Sequence, residues 1–292
     1  TIFEQNFLMM AKKRKRLDIP PCLCVPESFH PAVNQDCVVD PEEQTVADFV
    51  NMGKREPNEQ GTGRWPYSAE RRRIRILSLG MVAAKSSQVL KLVAFLDAFF
   101  CGRFSFNVDN TKPRPPRSKK SYKSFKRVPG CKMKGVEIWS ILDELIPLVR
   151  EDEFGVLALT TWPLCEDNSE EGDGTDIIEV LGRACGNRVC VVSTDVPMFE
   201  LICTTLHELL HLCGFDHTTS VQCLMNPSPY EPLEAGTVFL APFNLWKLCI
   251  MFGVDSDSAE EFVKEHYERM LEIWDECVSS GKEEAEAKRW LV

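Results

Sequence analysis

Three of the chain's five histidines fall in one short run, His207-Glu208-Leu209-Leu210-His211-Leu212-Cys213-Gly214-Phe215-Asp216-His217. No other feature narrows the fold and the chemistry as much. His207 and His211 stand four apart, so on a helix both imidazoles leave the same face and can reach one metal ion. Neutral imidazole is a good zinc ligand at about 2.0–2.1 Å, and three protein ligands leave a fourth position for water. Glu208 follows the first ligand directly, which places its carboxylate to take a proton from that water rather than to bind the metal. On a straight helix residue 217 would lie roughly three turns beyond residue 207. Gly214 resolves this, because glycine adopts positive φ, ends a helix and lets His217 swing back. The H-E-x-x-H pattern alone arises by chance in many chains; the glycine and third histidine at these offsets make zinc the stronger reading. The bland alternative, three core histidines, would require three separate buried polar partners.

The 292 residues allow one large domain or two modest ones. With 44% apolar and 27% charged residues the composition is globular. A net charge of −10 argues against nucleic-acid binding as the main function. The most apolar stretch, Val89 to Cys101, is interrupted by Lys91 and Asp97, so no membrane span is expected. No basic-then-apolar leader follows Thr1, and the 13 cysteines are odd in number and scattered. Reduced thiols in a cytoplasmic or nuclear setting are therefore expected, not a disulfide framework.

Along the chain, residues 1–70 combine the basic run Lys12 to Arg16 with Pro20, Pro21, Pro26, Pro31 and Pro41, and an irregular or disordered segment is expected. A strand is expected over Ile74 to Leu79, a helix from Ser86 to Phe100 with Ser86 or Ser87 as its N-cap and Gly102 as its stop, and a second strand over Phe104 to Val108. Lys112 to Lys134 holds ten Lys or Arg and no acid, which fits a solvated basic insertion better than a nucleic-acid surface. Helical spacing returns over Gly135 to Arg150, and Phe154 to Thr160 and Arg188 to Ser193 have the composition of buried strands. Between them an acidic loop is expected to include Glu166, Asp167, Glu170, Glu171, Asp173 and Asp176, without the spacing of a calcium loop. Further helices are expected over Phe199 to Leu212, Pro242 to Phe252 and Ser258 to Val278, the last peripheral and leading to an acidic tail. The resulting expectation is an α/β (α+β) catalytic domain over 71–254 with a mixed sheet, followed by 255–292 as a C-terminal helix and tail.

The full H-E-x-x-H-x-x-G-x-x-H run, followed by Cys223-Leu224-Met225, resembles the archaemetzincins. Looser likeness extends through Arg73 to Val108, Phe154 to Pro163, Leu181-Gly182-Arg183-Ala184 and Pro242 to Gly253. The resemblance implies a metzincin-like zincin domain, its mixed sheet packed on the active-site helix, with Met225 as the Met-turn residue. It also implies peptidase or aminopeptidase activity, with the substrate backbone added along a strand edge before the active-site helix, within Val189 to Ser193. Asp195 and Asp216 are the acids an N-terminal-amine pocket would draw on, although each reads first as a surface acid. The family usually carries four cysteines for a second, structural zinc; here those positions hold Thr218, Cys223, Ala241 and Asn244. Cys223 alone cannot build a closed tetrahedral site, so one zinc ion is expected and the second site is judged lost. The expected function is that of a monomeric zinc metallopeptidase acting on peptide or protein substrates through a zinc-activated water, with Glu208 as general base. The alternative is a catalytically silent zinc-binding protein that serves as a binding module.

Overall fold

The structure, a computed structural model, describes residues 43–55, 64–80, 82, 85–109, 135–167, 177–186, 188–219, 223–227 and 238–278. The expected basic insertion lies outside the described residues, as do the acidic positions 170–176 and the tail beyond 278.

Among the described residues there are eight strands and six α-helices. In chain order they are α1 (Val46–Met52), β1 (Arg73–Leu79), α2 (Ser87–Phe99), β2 (Ser105–Val108), β3 (Val136–Glu137), α3 (Ile138–Leu145), β4 (Glu153–Thr160), β5 (Leu164–Asp167), β6 (Ile177–Val180), β7 (Gly182–Cys185), β8 (Val189–Ser193), α4 (Met198–Leu212), α5 (Pro242–Met251) and α6 (Ala259–Cys277). The main sheet has the order β2-β1-β4-β8-β7. Its first four strands are parallel and β7 closes one end antiparallel to β8. A smaller sheet, β3-β5-β6, stands beside it. This is the mixed α/β architecture that the sequence predicts.

Strand β4 is buried along its whole length, as a central parallel strand covered on both faces must be. Alternation sorts its side chains between two cores. Leu157 and Leu159, with Cys190 and Val192 of β8, face the larger core under α2, α4 and α6. Val156 and Ala158, with Val189 and Val191, face the smaller core under α3. At the start of β4 the buried carboxylate of Glu153 accepts from Arg75 Nε at 2.7 Å and Nη2 at 3.2 Å, a bidentate tie between β1 and β4. Two residues further on, a Cβ at Gly155 would lie 2.7 Å from Leu212 Cδ2 and 2.9 Å from the Arg188 carbonyl. Glycine at that position lets the C-terminal end of α4, where the histidine run lies, settle directly onto the sheet.

Several expectations change. Within the expected irregular segment, Val46–Met52 form α1, closed at its start by a reciprocal capping box between Thr45 and Asp48. Glu166 and Asp167 lie in β5, paired with β6, where a loop is expected. Val189–Ser193 is β8, an interior strand between β4 and β7, so the edge strand on that side of the main sheet is β7. The C-terminal helix is not peripheral either. Phe262, His266, Met270, Trp274 and Cys277 of α6 are buried in the larger core, four or three residues apart. His266 interrupts that stripe with a polar residue, which conceals it in the sequence.

His266 is fully buried, and its Nδ1–H donates to the Phe99 carbonyl at 2.6 Å while Nε2 has no hydrogen-bond partner. Burial pushes its pKa down to about 4, opposed by the Phe99 bond. The unfolded chain takes up this proton below about pH 6.5 and the folded chain only near pH 4, so stability falls as pH drops through that window and levels off below it. His266→Gln keeps a donor but cannot titrate. Between pH 7 and pH 4 the variant should lose about 3 kcal/mol less stability than wild type in denaturant unfolding; parallel pH profiles would contradict the assignment.

Candidate metal centre

Helix α4 carries His207, Glu208 and His211 through its last turns and ends at Cys213. There Gly214 takes φ +85°, its N–H donates to the His211 carbonyl at 2.9 Å, and the Phe215 N–H donates to the Leu210 carbonyl at 3.1 Å. This is the paired closure of a Schellman turn, for which a residue with positive φ is needed. The reversal brings His217 back over the helix. The three Nε2 atoms lie 3.0 Å apart for His207 and His211, and each is 3.2 Å from that of His217.

Backbone carbonyls fix the rings. His207 Nδ1 is 2.8 Å from the Leu224 carbonyl and His211 Nδ1 is 2.7 Å from the Phe215 carbonyl. A carbonyl only accepts, so both Nδ1 atoms carry the proton and both Nε2 lone pairs point into the shared space. Burial pushes the pKa of His207 down to about 4 and that of His211 to about 3, and it lowers that of His217, so all three rings are neutral at pH 7. Converging lone pairs repel unless a cation sits between them. Three nitrogen atoms at these separations can all lie about 2.0–2.1 Å from one common point, the zinc–imidazole distance. The donor set therefore fits a zinc ion, and among the described residues this trio is the one group of His, Cys, Asp and Glu side chains close enough to hold a metal.

Glu208 is buried between α4 and β7. A Cβ on Gly182 would come within 3.0 Å of both Glu208 Cγ and Thr204 Cγ2, so the glycine in β7 makes room for the carboxyl group. Burial pushes the Glu208 pKa up to about 8, against the opposing pull of Arg183 and a hydrogen bond from the Ala184 backbone N–H. A dication on the neighbouring imidazoles would add a positive charge of the sign that lowers it. Arg183 is in turn paired with Glu166, whose other oxygen accepts from Trp139 Nε1 at 2.9 Å. Arg183, Glu166 and Gly182 were not singled out as site residues from sequence. Only Gly182 carried a signal, since a glycine inside a strand marks a close approach.

Met225 is fully buried one residue after Leu224, whose carbonyl holds His207, and its own carbonyl accepts from the Thr218 N–H at 2.7 Å. The positions of the expected lost cysteines do converge. Asn244 Nδ2 donates to Thr218 Oγ1 at 2.9 Å and lies 3.9 Å from Cys223 Sγ, all three buried. Cys223 also accepts from the backbone of Met225 and Ala241, and burial raises its thiol pKa. One thiol, an amide and a hydroxyl make a neutral hydrogen-bonded cluster there, not a set of thiolate ligands. Of the two acids considered for an amine pocket, Asp216 sits in the turn ahead of His217 with its N–H directed to Gln44, and Asp195 follows β8.

No known protein family profile matches the chain, and no curated protein matches it. Among solved structures, the crystal structure of archaemetzincin from Methanopyrus kandleri at 1.5 Å resolution is similar over 55% of this chain and 83% of that one, with a TM-score of 0.40 and 19% identity. Among the described residues no helix is long and apolar enough to cross a membrane.

Protein stripped with a chelator and titrated with zinc should bind one ion per chain. His211→Ala should weaken that binding at least about 100-fold, since it removes one of three protein ligands. Two tight ions per chain, or unchanged affinity in the variant, would contradict the site as described.

Proposed function

We propose that the chain is a zinc-dependent metallopeptidase, with His207, His211 and His217 holding the ion, Met225 as the Met-turn residue beside the ligands and Glu208 as general base. One observation carries the reading: three neutral imidazoles, two with Nδ1 committed to carbonyls, aim their Nε2 atoms at one point on the helix that also bears a buried glutamate. A zinc ion bound there supplies a Lewis acid that polarises a carbonyl and brings the pKa of water towards about 7.

The remaining work falls to the chain's own groups. Glu208 takes the proton of the attacking water and passes it to the leaving amine. The Ala184 N–H and the charge of Arg183 favour its ionised form, while burial keeps it from being so weak a base that it could not accept a proton. Strand β7 ends the main sheet, so an extended peptide can pair with Gly182–Cys185 as an added strand and bring its carbonyl towards the histidines. The substrate class that follows is an extended peptide or an unfolded protein segment.

Glu208→Gln keeps the shape and removes the base. It should lower cleavage of a peptide library by roughly 10²- to 10⁴-fold while leaving zinc content unchanged. Equal activity in the two proteins would remove Glu208 from the mechanism. A wild type that holds zinc and cleaves nothing would instead favour the silent binding module.

A further inference from the structure

The turn that delivers the third ligand is gripped from outside by a segment far away in sequence. Gln44 lies just ahead of α1, and its side-chain amide reaches both sides of that turn: Nε2 donates to the Gly214 carbonyl at 3.0 Å, and Oε1 accepts from the Asp216 N–H at 3.4 Å. The residue between those two contacts is Phe215, whose carbonyl holds His211 Nδ1 at 2.7 Å. Phe215 also packs its ring against Phe49 of α1, with centroids 5.0 Å apart in an edge-to-face arrangement. Gln44 is fixed in turn, because its own carbonyl accepts from Lys247 Nζ of α5 at 3.0 Å. Lys247 and Gln44 are both buried.

These contacts have one consequence. Gly214 gives the turn its positive φ, and the same freedom leaves it intrinsically loose, since glycine restrains its backbone less than any other residue. A loose Gly214–Asp216 turn would let His217 wander and would release the carbonyl that orients His211. The amide of Gln44 closes this turn as a clip would, with one donor and one acceptor, each matched to a backbone group that has no helix or strand partner. We infer that Gln44, seated by α1 and Lys247, is a positioning residue for the metal centre: it orients His211 and His217 by clamping Gly214, Phe215 and Asp216 without touching the metal. The segment 43–52 is thus part of the metal site and not an appendage to the domain. This rests on the reading of the histidine trio as a zinc site. Groups that orient ligands from behind cost about 10- to 100-fold in metal affinity when removed, and Gln44 belongs among them.

The test compares the wild type with Gln44→Leu, which keeps the bulk and removes both hydrogen bonds, and with Met270→Ala, which opens a cavity in the same core from α6 and leaves the hydrogen bonds of the clip in place. Zinc affinity is measured by competition with a chromophoric chelator, and thermal unfolding is followed on the same samples. Cobalt-loaded protein is also examined, because the intensity of its visible absorption reports four-coordinate geometry. Gln44→Leu should weaken zinc binding about 10- to 100-fold and reduce the cobalt band, while Met270→Ala lowers the melting temperature and leaves both metal readouts as in wild type. Unchanged affinity and spectrum in Gln44→Leu would overturn the inference, as would an equal loss of affinity in Met270→Ala, which would mark a general effect of stability. A wild type that binds no zinc would overturn the reading of the site itself, and the inference with it.

Discussion

At Gly214 the backbone leaves the right-handed region, the last carbonyls of α4 are closed by the N–H groups of Gly214 and Phe215, and the chain doubles back on its own helix. Two of the three imidazoles depend on this reversal. His217 is carried back by it, and His211 is oriented by the Phe215 carbonyl within it. An alanine at Gly214 would have to adopt the same positive φ, and its Cβ would come 2.9 Å from Arg64 Cδ. The left-handed turn and the close approach of Arg64 therefore impose the same residue for independent reasons.

The sheet fixes where that turn stands. Strand β4 is held to β1 by the buried Arg75–Glu153 pair, and Gly155 next to it admits Leu212 from the end of α4. Gly182 does the equivalent on β7, admitting Glu208. Two glycines in one sheet thus let α4 settle close against it. On the far side of the turn, Thr218, Cys223 and Asn244 bury a neutral cluster, which avoids the desolvation that a bare thiolate would cost there.

The histidine run, its helix and its glycine were legible because their spacing is dictated by helix geometry and ligand chemistry, which act locally. The alternating strands and the caps of α2 were legible for the same reason: Ser86 accepts from the Val89 N–H, and Gly102 has positive φ, as expected from residue type. What escaped depends on contacts distant in sequence. Gln44 and Phe49 sit beside a proline-rich stretch, just ahead of and within a helix of two turns that packs on Phe215 and α5 and does not rest on its own propensity. Glu166 looks like one acid of a charged loop until Arg183 and Trp139 are seen around it. The stripe of α6 was hidden by His266, a polar residue buried with a single backbone partner.

X-ray absorption at the zinc edge of the loaded protein tests the central claim most directly, because it counts and identifies the atoms around the ion. The account predicts three imidazole nitrogens and one light oxygen donor at about 2.0–2.1 Å, with no sulfur. A sulfur shell near about 2.3 Å, or fewer than three imidazoles, would contradict it.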